Sequence, residues 1–168
     1  MRPLRLPNSN RWNARELLVT PAPRPWHQEI VQRLNLALRL YLEREPVGHL
    51  FASPADISWD DDVLVQPDLF VVPLAEARTL DWARMKNLLL AVEVLSPSTA
   101  RYDRFTKRRL YQEVGLPTYL VVDPDQRIVE TWMPDLRFPT ISDEAIVWAP
   151  DGAQTTFRLS LSELFRPI

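Results

Sequence analysis

Three side chains of the sequence suit hydrolytic chemistry and stand at positions where such side chains are uncommon. Asp68 follows a proline inside an apolar run, and Glu93 interrupts the apolar run Leu88–Leu95. A carboxylate within an apolar strand is costly to bury unless it is paired, hydrogen-bonded or bound to a metal. Lys107 follows Asp103 by four residues in a segment of helical pattern, so these two side chains share one helix face.

The chemistry that these residue types support is metal-assisted attack on a phosphate. Hard divalent cations such as Mg²⁺ bind carboxylate oxygens and retain several waters. Two carboxylates on adjacent strands can hold one such ion, which lowers the pKa of a bound water. A nearby lysine can orient that water or stabilise charge in the transition state. We therefore expect Asp68 and Glu93 to be metal ligands and Lys107 to complete the catalytic set. Asp103 would orient Lys107 or act as an outer-shell ligand of the metal.

Each of these residues also has a simpler interpretation. Asp68 fits a turn at a β-bulge, and Glu93 fits a strand end or a pair with an arginine. Lys107 fits a solvated helix face with an i,i+4 partner. The spacing of the residues does not by itself exclude these alternatives.

The hydrophobic pattern predicts the elements that must position these side chains. Trp26 to Glu45 has helical spacing of apolar residues and is followed by Pro46 and Gly48, which end the helix. Leu88–Leu95 is typical of a strand that is buried on both faces. Further strands are predicted at Glu16–Thr20, His49–Trp59, Val63–Val72, Thr118–Val122, Arg127–Met133, Ala145–Trp148 and Thr155–Leu159. A closing helical turn is predicted at Leu161–Phe165.

A second helix is predicted from Ser96 to about Val114, with Gly115 ending it. Its apolar stripe comprises Tyr102, Phe105, Leu110 and Val114. A buried strand followed by a helix and another strand indicates a crossover unit inside a mixed sheet. The expected fold class is therefore α/β, with a mixed central β-sheet flanked by helices.

Several classes of site are excluded or disfavoured by composition. The chain has no cysteine, so it has no disulfide, thiolate zinc site or cysteine nucleophile. The two histidines, His27 and His49, do not form a His-x-x-x-His pair, so a zinc site is not expected. Ser96 and Ser98 lack a nucleophile-elbow motif, and helix capping accounts for them better. The three glycines form no phosphate-binding loop of a known pattern.

The distribution of charge along the chain indicates a partner more clearly than the net charge does. The net charge is only −2, but five basic residues fall between positions 101 and 109. We expect Arg101, Arg104 and Arg108 to contact phosphates along a nucleic-acid backbone.

The length fits one domain, which we place at residues 16–168 after a partly disordered lead-in at residues 1–15. The N-terminus has no apolar core of a signal peptide, and no apolar run reaches the ~18 residues of a membrane span. We therefore expect a cytoplasmic protein with no membrane contact.

The motifs also resemble those of a known family. The pattern in this sequence is Pro67-Asp68, Glu93-Val94-Leu95-Ser96-Pro97-Ser98-Thr99, Asp103, Lys107, Tyr111, Gly115, Tyr119 and Val122-Asp123-Pro124. It strongly resembles the Uma2 (Uma-two) family, a large bacterial group of restriction-endonuclease-like proteins. The match extends upstream through Glu16 and His27 and covers about residues 16–168.

The resemblance implies a PD-(D/E)XK nuclease fold and DNA as the substrate, with Mg²⁺ or Mn²⁺ as cofactor. It assigns Asp68 to the aspartate of the PD element and Glu93 to the acidic residue of the next core strand. The lysine of the standard motif would stand at Leu95, and the resemblance moves its role to Lys107. Supporting roles at Glu16 and His27 follow from the same match, although a surface histidine at a helix start is the simpler interpretation of His27.

Two alternatives to a DNA endonuclease stay open at this point. One is a non-catalytic nucleic-acid-binding or regulatory module that retains the nuclease fold, which the near-neutral charge and the scarcity of lysine favour modestly. The other is a phosphoesterase for small nucleotides. Relatives of this fold often work as homodimers, so a dimer is a further expectation of the resemblance.

Overall fold

A computed structural model describes residues 24–60 and 63–168 of the chain. Our expectations for the lead-in at residues 1–15, the strand at residues 16–20 and a supporting role of Glu16 lie outside these residues.

A six-stranded mixed sheet forms the centre of the fold. Its six strands are β1 (His49–Ala52), β4 (Leu69–Val72), β5 (Leu90–Val94), β6 (Tyr119–Asp123), β7 (Ile128–Trp132) and β8 (Thr140–Ser142). They stand in this order across the sheet, with β5 and β6 parallel and the other neighbours antiparallel. The mixed sheet confirms the predicted fold class.

Two further two-stranded sheets occur among the described residues. One pairs β2 (Ile57–Asp60) with β3 (Val63–Val65), and the other pairs β9 (Ala145–Trp148) with β10 (Phe157–Ser160). The single extended stretch predicted from His49 to Trp59 is divided into β1 and β2, with a cis Ser53–Pro54 peptide bond between them.

The long helix α1 (Pro25–Arg44) covers one face of the central sheet. Its buried residues Ile30, Leu34 and Leu38 recur at helical spacing and belong to the same core cluster as Leu90 and Val92 of β5. The short helix α4 (Leu161–Leu164) completes this layer. The helix predicted from Trp26 to Glu45 is thereby confirmed to within one residue at each end.

The opposite face of the sheet is covered by the segment that connects β5 to β6. This connection contains a π-helical segment, Tyr102–Lys107, which continues into α3 (Arg108–Glu113). Gly115 follows with φ of 73°, a left-handed conformation that glycine adopts without strain and that ends the helix as predicted. The predicted crossover between two parallel strands is therefore present, and it carries Asp103 and Lys107.

The remaining helical elements are short. Helix α2 (Leu74–Ala77) and a 3₁₀ turn (Trp82–Arg84) lie between β4 and β5. Among the described helices, none combines the length and the apolar character that crossing a membrane requires.

Candidate active site

Asp68 stands where the chain turns from β3 into β4. Pro67 interrupts the strand, as the sequence predicts, and the Asp68 side chain is 22% exposed. Its Oδ2 accepts a hydrogen bond of 2.8 Å from the backbone N–H of Val94, the residue after Glu93 on the neighbouring strand. This bond holds the Asp68 carboxylate against the end of β5.

The alternation of side chains along β5 determines the face of the sheet on which Glu93 lies. Leu90, Val92 and Val94 belong to the core cluster under α1, and Ala91 belongs to the cluster on the opposite face. Because side chains alternate along a strand, Glu93 points to the face that the β5–β6 connection covers. Its side chain is only 4% exposed.

The π-helical segment determines which side chains meet Glu93. Asp103, Lys107 and Tyr111 are the residues that it and α3 bury, at intervals of four. The apolar stripe expected from the sequence is wrong in its first half, because Tyr102 is 49% and Phe105 is 62% exposed. The wider turn of a π-helix changes the face that each residue occupies, and such segments are frequent at functional sites.

Lys107 connects the two carboxylates of the buried face. Its Nζ donates to Glu93 Oε1 at 2.6 Å and to the carbonyl oxygen of Gln66 at 3.2 Å. Asp103 Oδ1 lies 3.2 Å from the same Nζ, but the alignment is too poor for a hydrogen bond. The i,i+4 relationship between Asp103 and Lys107 that the sequence predicts is present, on a buried rather than a solvated face.

The electrostatics of this cluster follow from its burial. Burial raises the pKa of Glu93 well above its ordinary value; Lys107 opposes this rise, and the charges of Asp68 and Asp103 add to it. Burial alone would lower the pKa of Lys107, but the Glu93 and Asp103 carboxylates outweigh it and raise that pKa. The site thus concentrates negative charge that a single ammonium neutralises in part.

His27 lies on the first turn of α1 and faces Asp68. Its Nε2 is 3.4 Å from Asp68 Oδ2, and its side chain is 11% exposed. The bond with Asp68 raises the pKa of His27, while burial works in the opposite direction. The interpretation of His27 as a surface histidine is therefore wrong, although a chemical role for it stays a prediction.

These side chains line one pocket of about 610 Å³. Asp68, Glu93, Asp103, Lys107 and His27 all contribute to its wall. The pocket gathers residues from α1, the β3–β4 turn, β5 and the π-helical segment, which lie far apart in the chain.

The donor set of the pocket fits a Mg²⁺ or Mn²⁺ ion held by two carboxylates and water. Within the described residues, no hydrogen bond engages Asp68 Oδ1 or Glu93 Oε2. Burial is the main cause of the raised pKa of Glu93, the charges of Asp68 and Asp103 add to it, and a cation in the pocket would relieve the repulsion among these carboxylates. The described part of the chain has no group of three or more acidic or histidine side chains arranged around one ion. Water and substrate oxygens would therefore supply the other ligands.

Comparison with known proteins shows the family and the fold of the chain. The model of the Uma2 family, described as a putative restriction endonuclease, matches residues 12–162. The chain belongs to the Uma2 family. The crystal structure of a putative nuclease of the DUF820 family from Anabaena variabilis has the same fold, with a TM-score of 0.70 and 18% identity over 86% of this chain and 83% of that one. Among curated proteins, none matches.

Two arginines expected to bind phosphate have other partners in this Uma2 chain. Arg104 forms ion pairs of 2.7 Å with both Asp123 and Glu130, which are buried. Arg108 bonds to Gln112 and lies over the Trp132 ring. Arg101 is exposed. These contacts account for Arg104 and Arg108 structurally, so we do not carry them into the proposed function.

Sequence reasoning missed other pocket residues of the Uma2 chain. Arg24 lines the pocket and is exposed, although it precedes the helix that the sequence predicts. The turn at residues 96–99 also lines it, and Ser96 Oγ lies 3.0 Å from both Ser98 Oγ and Thr99 Oγ1. The Ser-Pro-Ser-Thr sequence, which follows the buried Glu93 closely, was the available signal for these pocket residues. From the sequence alone, helix capping is the better account of its serines.

Proposed function

We propose that this protein is a metal-dependent nuclease that hydrolyses phosphodiester bonds in DNA. One observation carries the proposal: the carboxylate of Asp68, just before β4, the carboxylate of Glu93 on the neighbouring strand β5 and the ammonium of Lys107 line one pocket, and Lys107 bonds to Glu93 there. Membership of the Uma2 family supports the same reaction class. Fold alone would not, because one fold serves many functions.

Asp68 and Glu93 would hold a Mg²⁺ or Mn²⁺ ion. When bound, the ion supplies an activated water at neutral pH and neutralises charge on the phosphate. The bond from Val94 N–H holds the Asp68 carboxylate in place through one oxygen and leaves the other for the ion. Lys107 performs the corresponding task for Glu93.

Lys107 also has a direct role in this proposal. An ammonium has three protons, and two of them are directed to Glu93 and to the Gln66 carbonyl. The third has only the poorly aligned Asp103 Oδ1 as a described partner. A phosphate oxygen in the pocket would be a better acceptor, and the Lys107 charge would stabilise the negative charge that develops on it.

The pairing of Asp68 with His27 and of Lys107 with Asp103 would set the orientation of the reacting groups. His27 restrains Asp68 from the α1 side. Asp103 keeps Lys107 charged through its own charge. Cytoplasmic location and homodimer formation accompany this proposal as predictions from the sequence.

The proposal is tested by incubating purified protein with plasmid and oligonucleotide DNA in Mg²⁺ or Mn²⁺, and in EDTA. Asp68→Asn and Lys107→Ala should each lower metal-dependent cleavage about a hundredfold or more, since each removes charge stabilisation worth several kcal/mol. Asn at position 68 can still accept the bond from Val94, so the fold should persist. Asp135→Asn, at an exposed position outside the pocket, is the matched control.

Cleavage that survives both substitutions would contradict the assignment. DNA binding without cleavage would indicate a binding module that retains the nuclease fold. Turnover of small nucleotides without cleavage of polymers would indicate a phosphoesterase instead.

A further inference from the structure

A second groove lies directly beside the catalytic pocket and has a different chemical character. It has a volume of about 300 Å³ and is lined by Leu64 and Val65 on one side and by Tyr102, Leu110 and Arg109 on the other. Val65 precedes Gln66, whose carbonyl accepts a hydrogen bond from Lys107. The groove and the pocket are therefore neighbours, since Gln66 lines the pocket and Val65 lines the groove.

Tyr102 stands at the junction between the two cavities. Its ring centroid is 5.8 Å from Lys107 Nζ, a cation–π distance, and 49% of the residue is exposed. The π-helical segment buries its neighbour Asp103 and turns Tyr102 outward. Leu64 across the groove is 58% exposed, so an aromatic ring and an aliphatic side chain face solvent next to the proposed reaction centre.

Positive charge accompanies this apolar surface. Arg109 lines the groove with a side chain that is 75% exposed, and the Lys107 ammonium lies 5.8 Å from the centroid of the Tyr102 ring. Glu113 also lines the groove and is 3.3 Å from Arg109. Because both members of this pair are largely exposed, their attraction is weak and leaves Arg109 able to contact an anion.

An aromatic face next to an exposed basic side chain is an arrangement that binds single-stranded nucleic acid. A base within a duplex is already stacked on both sides, so only an unpaired base offers its face to a protein ring. An exposed aromatic next to a site for a phosphodiester thus discriminates between unpaired and paired strands.

We propose that this groove binds an unpaired nucleobase next to the reactive phosphate, stacked on Tyr102, and that the preferred substrate is single-stranded nucleic acid. The inference rests on the proposed function for the position of the phosphate. It adds Tyr102 as a residue that determines which strand structure the site accepts.

The experiment measures binding rather than cleavage. Fluorescence anisotropy compares a labelled thymidine oligonucleotide of about six nucleotides, within the usual site size of such grooves, with its uridine counterpart, a hairpin duplex and an abasic strand of equal length. Binding is measured in Ca²⁺ at fixed ionic strength, and gels verify that each probe stays intact. The proteins are wild type, Tyr102→Ala, Tyr102→Phe and the control Phe138→Ala, another exposed aromatic, which lines neither cavity.

We expect wild type to bind the thymidine strand more tightly than the duplex or the abasic strand. Tyr102→Ala should weaken binding of the thymidine strand about tenfold, the effect of losing one base–aromatic stack. Tyr102→Phe should stay within about twofold of wild type because the ring is retained, and Phe138→Ala should behave as wild type. Abasic and duplex binding should not respond to Tyr102→Ala. The uridine strand distinguishes RNA from DNA as the source of the base.

Equal loss of binding to all probes in Tyr102→Ala, or no loss for the thymidine strand, would overturn the inference. If Tyr102 serves only to position Lys107, Tyr102→Ala would slow cleavage of every substrate and leave binding unchanged, which would also overturn it. Base-dependent binding in a protein that does not cleave would support the inference and reject the nuclease. Cleavage that depends on Asp68, together with binding that does not depend on the base, would support the nuclease and reject the inference.

Discussion

The ammonium of Lys107 lies 2.6 Å from Oε1 of Glu93, although the two residues belong to different elements and both are almost fully buried. The pair joins the central strand of the proposed site to the helical segment that covers it. Removal of one member leaves an uncompensated buried charge, which is more costly than the absence of both.

Lys107→Met should therefore destabilise the protein by about 3 kcal/mol at pH 8, since Glu93 and Asp103 lose their common cation. Added Mg²⁺ should restore part of this loss because the ion replaces the missing positive charge. The measurement is urea denaturation with and without Mg²⁺. Lys86→Met, at the other lysine of the sequence and at an exposed position, is the control. Equal stability of the two variants would show that the buried pair does not act as described.

His27→Ala should lower the affinity for Mn²⁺ by about 10–100-fold, the usual effect of removing a partner that orients a metal ligand. The reason is that Asp68 loses its contact with Nε2 and keeps only the bond from Val94. Titration calorimetry with Mn²⁺ measures this without any need for activity. His49→Ala is the matched control, because His49 is exposed and packs on the Phe51 ring outside the pocket. Unchanged affinity in a folded His27→Ala protein would argue against the positioning role.

Arg104→Ala should lower the free energy of unfolding and leave the rate of DNA cleavage unchanged. Its guanidinium is the shared partner of Asp123 and Glu130, so its loss leaves two buried carboxylates unpaired and should cost about 3 kcal/mol. DNA cleavage per folded molecule should be unchanged. Denaturation and cleavage assays on Arg104→Ala and on Arg101→Ala, an exposed arginine, separate the two effects. A stable Arg104→Ala protein with weakened DNA binding would restore the phosphate role expected from the sequence.

Glu45 predicts a specific dependence of stability on pH. Its carboxylate accepts from Thr155 Oγ1 and from the backbone N–H of Gln154, and these bonds lower its pKa. A lowered pKa in the folded state contributes stability above the unfolded value of 4.5, and this stability is lost as pH falls through the folded value. Glu45→Gln should therefore be less stable than wild type at pH 7, with a difference that shrinks as the pH falls below the unfolded value. Thermal denaturation across this range is the measurement, and a difference independent of pH would contradict the assignment.

Local pattern was enough to predict the elements that surround the site. Helix α1 and strand β5 follow from apolar spacing, and Gly115 ends the second helix as expected. These features depend on residues close in sequence, because helix periodicity and strand alternation are local properties of the chain. The cis bond at Pro54 and strand β8 are not encoded by such a pattern, and the sequence did not predict them.

The sequence predicted some residues of the site and missed the contacts of others, because only local properties are visible in it. The Pro-Asp, the buried Glu and the helical Lys are each visible in the sequence, and Asp68, Glu93 and Lys107 line one pocket. The partners of Arg104 were not visible, because Asp123 and Glu130 reach it only through the pairing of β6 with β7. Nor could spacing show that Tyr102 faces outward, since a π-helical segment shifts the face that each residue occupies.

By itself, then, the sequence determined which chemical groups this protein has and which local elements carry them. Tertiary structure alone decided that Val94 N–H holds Asp68 next to Glu93, that Lys107 meets Glu93 rather than solvent, and that His27 borders the pocket. The physical reason is that the partners of a charged side chain depend on distances and burial in the folded state. Those quantities depend on packing between elements that lie far apart in the chain.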